Sequence, residues 1–134
     1  MPVTSPDQCR DHSADWIEYF YGRRGGEILA LINEDLINEH RSNPMQLKAH
    51  HSANLHLVLN FFRNAPIIGK EFVYAVRPYE AYQVGVVTSR GTAGALLDDT
   101  TYPTEDEAVH AVFMARVNKL RATQSALNSK VMNP

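Results

Sequence analysis

The chain has 134 residues, of which 44% are hydrophobic and 21% are charged, a composition typical of one globular domain. Its net charge is −2 with acidic and basic residues interspersed, which disfavours a generic nucleic-acid binder. Cys9 is the only cysteine, the N-terminus lacks a secretory signal, and no apolar run approaches the roughly 20 residues of a membrane helix. We therefore expect a soluble, cytoplasmic protein.

Residues 1–12 are predicted to form an N-terminal arm. Residues 1–12 are polar, include two prolines and show no hydrophobic periodicity. We expect this arm to be flexible, or to become ordered on a partner, and to precede a single domain over residues 13–134. The tail after about residue 127 is expected to be loose.

Helical periodicity begins at Ser13, a suitable N-cap, and continues through the apolar positions Trp16, Ile17, Phe20 and Tyr21. Gly25 and Gly26 then interrupt the pattern, because two interior glycines cost roughly 2 kcal/mol relative to alanines. The sequence leaves two alternatives open: the helix ends near Arg24 and helical structure restarts at Glu27, or one helix continues through Gly25-Gly26.

A third helix is predicted from Ser52 to Asn64, after the preceding apolar stripe ends at Asn43-Pro44. Its apolar residues fall at helical spacing: Leu55, Val58, Leu59 and Phe62. Ala65-Pro66 then ends the helix.

The pattern next changes to a period of two, which is typical of strands. The first predicted strand carries Phe72, Tyr74 and Val76, and the second carries Tyr82, Val84 and Val86. Pro78-Tyr79-Glu80 predicts the turn between them. After a polar loop, Ala95-Leu96-Leu97 is a candidate for a short third strand.

A capping box predicts the start of the last helix. Thr104 can accept a hydrogen bond from the N–H of Glu107, whose side chain can reach back to the N–H of Thr104. Acidic residues in this first turn also stabilise the helix, because their negative charge lies at the positive end of the helix dipole. The helix is expected from Glu105 to about Leu127, with five side chains buried on one face: Val109, Val112, Phe113, Val117 and Leu120.

These elements predict an α+β fold, with N-terminal helices, a small antiparallel meander of two or three strands, and a C-terminal amphipathic helix packed on the sheet. The last helix can cover one face of so small a sheet. The other face then needs the N-terminal helices or another protein.

The histidines and the cysteine form no recognisable catalytic motif. Three histidines are close in sequence but lack the usual i, i+4 ligand spacing: His50, His51 and His56. No acidic residue lies between Arg41 and Lys70 to complete a metal site. We expect His110 to lie on a helix surface or at an interface, and Cys9 has no neighbouring base. The sequence therefore predicts no catalytic, cofactor-binding or metal-binding residue in this chain.

Aromatic side chains are more informative. Those near the N-terminus fall on more than one face of their helix, so the domain's own core cannot cover all of them. Tyrosine and tryptophan are enriched at the centres of protein interfaces. We predict that a partner contacts Trp16, Tyr19, Phe20, Tyr79 and Tyr82. The alternative is that these are partly exposed aromatics on an ordinary surface.

Several short motifs follow one another in a single register from about residue 10 to residue 121. They are Arg10-Asp11-His12-Ser13-Ala14-Asp15-Trp16, Glu39-His40 with Asn43-Pro44, Asn60-Phe61-Phe62-Arg63, Gly69-Lys70, Ala81-Tyr82 and the segment from Thr104 to Phe113. This ordered set resembles the small subunit of bacterial N,N-dimethylformamidase, and the chain length also suits that family.

The resemblance implies a non-catalytic subunit of an amidohydrolase that converts dimethylformamide and water to dimethylamine and formate. The catalytic iron would belong to the large subunit, so this chain would hold no cofactor and would be inactive alone. It would be needed for assembly and stability of that large catalytic subunit, in a hetero-oligomer with two or more copies of each chain. Neither nucleic acid nor a membrane would be a partner.

Two other classes remain open. A meander followed by a helix also occurs in some DNA-binding domains, although only Arg77 and Arg90 flank the strands here and a groove-reading face needs several basic residues. A free-standing enzyme is disfavoured because no known catalytic motif occurs.

Overall fold

The computed structural model describes residues 12–89 and 94–132, without the side chains of residues 12–18, 20, 21 and 127–132. Within these residues the chain forms α1 His12–Leu31, α2 Glu34–Ser42, α3 Ala53–Arg63, β1 Glu71–Arg77, β2 Ala81–Val86, β3 Ala95–Leu96 and α4 Glu105–Met132. The predicted α+β fold is confirmed. Of the predicted arm, residues 1–11 lie outside the described residues.

The first helix decides between the two alternatives that the sequence left open. It runs unbroken through Gly25 and Gly26. The reason is close packing against α4, since a Cβ atom on Gly25 would stand 2.8 Å from Nε2 of Gln124 and 3.0 Å from Cδ1 of Leu120. Across the same contact, Nε2 of Gln124 donates to the carbonyl oxygen of Gly22 at 2.9 Å. Tertiary packing here outweighs the low helix propensity of glycine.

Side-chain N-caps determine where the next two helices begin. The interruption falls after α1, where Asn33 is extended and its side chain accepts a hydrogen bond from the N–H of Leu36 at 2.9 Å. Ser52 caps α3 in the same way, and its Oγ accepts from the N–H of Leu55 at 3.3 Å. The third helix therefore begins where its cap predicted, because a cap is a property of the local sequence.

The three strands form one antiparallel sheet in the order β1-β2-β3. In the turn between the first two, Glu80 donates its N–H to the carbonyl oxygen of Arg77 at 3.0 Å. Tyr79 has a φ of +69°, which is uncommon for a residue with a side chain. Its N–H donates to Oη of Tyr82 at 2.9 Å, and this bond stabilises the turn.

The last helix packs against the sheet and against α1 and α2. Four of its predicted core residues are buried: Val112, Phe113, Val117 and Leu120. The burial predicted for Val109 is wrong, because the buried stripe passes through Ala108 and Val109 is half-buried at its margin. The helix also continues to Met132, beyond its predicted end near Leu127. Within the described residues, none of the helices combines the length and the apolar character needed to cross a membrane.

Candidate partner-binding surface

The two faces of the sheet have different surroundings. Residues that pair directly across β1 and β2 share a face, and one face therefore carries the pairs Glu71 with Val86, Val73 with Val84, and Ala75 with Tyr82. Glu71, Tyr82 and Val84 are buried, and the carboxylate of Glu71 accepts a hydrogen bond from Lys119 of α4. This is the face that the last helix covers, as the sequence predicted.

The opposite face, which we call the outer sheet surface, carries Phe72, Tyr74, Gln83, Gly85 and Leu96. Tyr74 and Leu96 are each 50% exposed. Among the described helices, α4 makes the extensive contacts with the sheet, and it lies on the inner face. On the outer face Phe72 and Gln83 are half-buried and Gly85 is buried, so the exposed side chains of this set are Tyr74 and Leu96. An antiparallel sheet usually turns polar residues toward water, so exposed apolar residues here indicate a surface that another protein can cover.

The five residues predicted for a partner interface fall into three groups. Tyr79 at the hairpin tip is 93% exposed, and Tyr19 on α1 is 57% exposed. Tyr82 is buried on the inner face of the sheet, so its ring offers little area to a partner. The side chains of Trp16 and Phe20 lie outside the described residues.

Histidines meet where α2, α4 and the loop before α3 come together. The Nδ1 atoms of His40 and His110 lie 2.9 Å apart, and the ring of His40 stacks on Phe113 with 4.1 Å between centroids. The ring of His51 lies 6.2 Å from that of His40, and its Nε2 is 2.6 Å from the carbonyl oxygen of Asn43. His110 lies half-buried on the last helix with its ring beside His40, and the expected interface role for it stays a prediction.

Burial controls the charge of this cluster. Burial, together with the nearby His110 and His51, lowers the pKa of His40 to about 3, and the charge of Glu39 opposes this only in part. Burial and the positive charge of Arg41 also lower the pKa of His110. Both rings are consequently neutral near neutral pH, and they join α2 to α4 through a hydrogen bond.

The carboxylate of Glu39 joins α2 to the start of α3. It accepts hydrogen bonds from the N–H and the Oγ–H of Ser52, both at 2.7 Å. Burial alone would raise the pKa of Glu39, but these two bonds and the neighbouring His51 and His56 outweigh it and hold the pKa below its ordinary value. Glu39, His40 and Asn43, which belong to the motifs quoted above, thus fix the loop between two helices.

In the described part of the chain, no group of three or more His, Cys, Asp or Glu residues is arranged to hold a metal ion. His51 uses its Nε2 for the loop carbonyl of Asn43. Cys9 lies outside the described residues.

The described structure is that of a small α+β chain that presents aromatic and aliphatic side chains on one face and one hairpin tip. The N,N-dimethylformamidase alpha subunit family matches residues 15–127. An N,N-dimethylformamidase alpha subunit from Paracoccus aminophilus is 38% identical over 121 residues, which cover 89% of this chain and 85% of that protein. Another from an Alcaligenes species is 38% identical over 122 residues, covering 90% of this chain and 92% of that protein. The chain belongs to this family, and the resemblance carried by its ordered motifs is confirmed.

Proposed function

We propose that this chain is the non-catalytic small subunit of an N,N-dimethylformamidase-like amidohydrolase, needed for assembly and stability of a large iron-bearing catalytic subunit. The complete enzyme would convert dimethylformamide and water to dimethylamine and formate. Membership of the alpha subunit family carries this proposal, because a protein named as one subunit of an enzyme has a partner subunit.

The positions of the polar groups support a non-catalytic role. A general base or nucleophile must reach its substrate. His40 is 2% exposed and engaged with His110, and the carboxylate of Glu39 is occupied by Ser52. These groups stabilise helix contacts, so the iron and the residues that activate water are expected in the partner chain.

We assign the partner contact to the outer sheet surface, to the hairpin tip and to α1. Tyr74, Leu96 and Tyr79 provide exposed apolar area with a polar group at each tyrosine tip. Tyr19 on α1 is also exposed and provides a separate part of the proposed contact. Trp16 and Phe20 stay predictions on the same helix. Tyrosine and tryptophan are the residues that most often dominate interface energetics. We expect a hetero-oligomer with two or more copies of each chain.

Co-expression with the large chain tests this function. The two chains are expected to copurify, with dimethylformamide hydrolysis and iron present in the complex and neither present in the small chain alone. The measurements are size-exclusion chromatography with light scattering, elemental analysis and release of dimethylamine. Hydrolysis by the isolated small chain, or a fully active and stable large chain without it, would contradict the proposal.

A further inference from the structure

A cavity of about 200 Å³ lies where α1, the end of α3, the start of β1 and α4 meet. Part of its wall is apolar and includes Phe62, Ile68 and Leu120. Another part is charged and consists of Lys70, Glu71, Arg116 and Lys119. Sites for drug-sized ligands have roughly 300–1,000 Å³, so a ligand of this cavity must be smaller.

Two cations already share the one carboxylate of this wall. Glu71 is 6% exposed, and its Oε1 accepts a hydrogen bond from Nζ of Lys119 at 3.0 Å. Arg116 donates from Nη2 to the carbonyl oxygen of Glu71 at 2.8 Å. The Nε of Arg116 is 3.4 Å from Oε2 of Glu71, which is an ion-pair distance without hydrogen-bond alignment. The carboxylate is therefore neutralised, and positive charge remains.

Lys70 adds a third cation. Its Nζ donates to the carbonyl oxygen of Arg63 at 2.8 Å, which occupies one of the three N–H donors of an ammonium group. Burial and the charge of Arg116 lower the pKa of Lys70, while Glu71 opposes this shift only in part. Three cations and one carboxylate give this wall an excess of positive charge that a bound anion would relieve.

We propose that this cavity binds a short-chain aliphatic carboxylate, with its carboxylate against Lys70 and Arg116 and its alkyl chain against the apolar wall. The planar guanidinium of an arginine and the ammonium of a lysine are the usual partners of a carboxylate. The apolar side chains select an alkyl group, because inorganic phosphate would leave them in contact with water. This binding is independent of the subunit role proposed above.

Titration of the isotope-labelled full chain with sodium butyrate, followed through its amide resonances, tests the site. The expected dissociation constant is on the order of 1 mM, as for other ligands of this size. Shifts should concentrate at the lining residues Gly22, Lys70 and Thr123. Butyramide has the same shape without the charge and should bind about tenfold more weakly. Acetate and formate should also bind more weakly, because they bury less alkyl surface.

Substitution at Lys70 provides the matched variants. Lys70→Gln should weaken butyrate binding about tenfold, whereas Lys70→Arg should retain it. Lys48→Gln changes an exposed lysine in the loop between α2 and α3 and should leave the affinity unchanged. The proposal is overturned if the amide chemical-shift changes do not saturate with butyrate, or if butyramide binds as tightly as butyrate. It is also overturned if sodium chloride at equal ionic strength causes the same chemical-shift changes. Unchanged butyrate affinity in folded Lys70→Gln would overturn it as well.

Discussion

The Nδ1 atoms of His40 and His110 lie 2.9 Å apart although 70 positions separate the two residues in the chain. One nitrogen must carry the proton and the other must accept it, so at least the accepting ring must be neutral. The lowered pKa values of both histidines make both rings neutral near neutral pH. The buried Nε2 of His110 has no hydrogen-bond partner. An unpaired acceptor is tolerated better than an unpaired donor, which favours His110 as the ring that donates from Nδ1.

Acidification is expected to destabilise the chain through this pair. The pKa of His40 is about 3 in the folded chain and 6.5 as the ordinary value, so below about pH 6.5 the unfolded state binds a proton that the folded state does not. The free energy of unfolding is therefore highest above that pH and falls toward pH 3. His40 alone should contribute a loss of about 2 kcal/mol by about pH 5. His110 acts in the same direction, because its pKa is also lowered.

Urea unfolding at several pH values checks this prediction. His40→Gln should reduce the slope of stability against pH between about pH 7 and pH 5. The control is His50→Gln, which changes an exposed histidine and should keep the wild-type slope. An unaltered slope in His40→Gln would show that the pair does not control the acid response.

Gly25 and Gly26 offer a matched test of the contact between α1 and α4. Gly25→Ala brings a Cβ to 2.8 Å from Nε2 of Gln124 and should lower the free energy of unfolding by about 1–2 kcal/mol. Gly26→Ala meets Oε1 of Gln124 only at 3.4 Å. It should raise stability by roughly 0.5–1 kcal/mol, because alanine is the better helix former. Chemical denaturation of both variants measures the difference, and equal effects would contradict the packing argument.

The N-cap of α4 gives a third prediction. Oγ1 of Thr104 accepts from the N–H of Glu107 at 3.2 Å, and its carbonyl oxygen accepts from the N–H of Ala108 at 3.2 Å. Thr104→Ala removes the side-chain acceptor and should lower the free energy of unfolding by about 1 kcal/mol. Thr104→Ser keeps the hydroxyl and should stay close to wild type. Thermal or urea unfolding that ranks serine with alanine would argue against capping.

Local chemistry explains why some elements could be predicted from the sequence. The hydroxyls of Ser52 and Thr104 cap helices through N–H groups three residues away, and a short window of sequence contains both partners. The alternation of Phe72 to Val76 likewise predicts β1 without reference to the rest of the chain.

Long-range contacts explain what the sequence did not reveal. Helix α1 continues through Gly25 because Gln124 and Leu120 approach it closely, and these residues lie on the last helix. His40 follows Leu36 by four residues, so the local sequence is enough to place it on the same buried face of α2. Its hydrogen-bond partner, His110, lies on α4 and could not be inferred in this way. Tyr79 and Tyr82 lie in the same hairpin, and the sequence pattern alone does not distinguish them. Tyr82 is buried because it lies on the face of the sheet that α4 covers, whereas Tyr79 at the hairpin tip is exposed.

The purified chain alone is expected to bind no stoichiometric iron and to have no amidase activity. The described residues hold no convergent set of metal ligands, and the function proposed above places the iron in the large subunit. Elemental analysis after purification in iron-containing medium measures the first property, and release of dimethylamine measures the second. One tightly bound metal per chain would contradict the prediction, and His50, His51 and His56 would be the first ligands to replace.

Assembly with the large chain is expected to depend on exposed tyrosines. Tyr79→Ala removes a side chain that is 93% exposed, and Tyr74→Ser removes apolar area from the outer sheet surface. Each change should weaken assembly by about 2 kcal/mol or more if the tyrosine is an interface anchor. The melting temperature of the isolated chain should change little, since neither ring belongs to the buried core.

Two controls separate assembly from folding. Leu47→Ala removes another exposed apolar side chain, in the loop between α2 and α3, and should leave both assembly and melting unchanged. Tyr82→Ala removes a buried ring and should instead lower the melting temperature of the chain alone, because it leaves a cavity under the sheet. Copurification with the large chain and thermal unfolding of the small chain are measured for each variant. If Tyr79→Ala and Tyr74→Ser assemble as tightly as wild type, the partner contact lies on another surface of this chain.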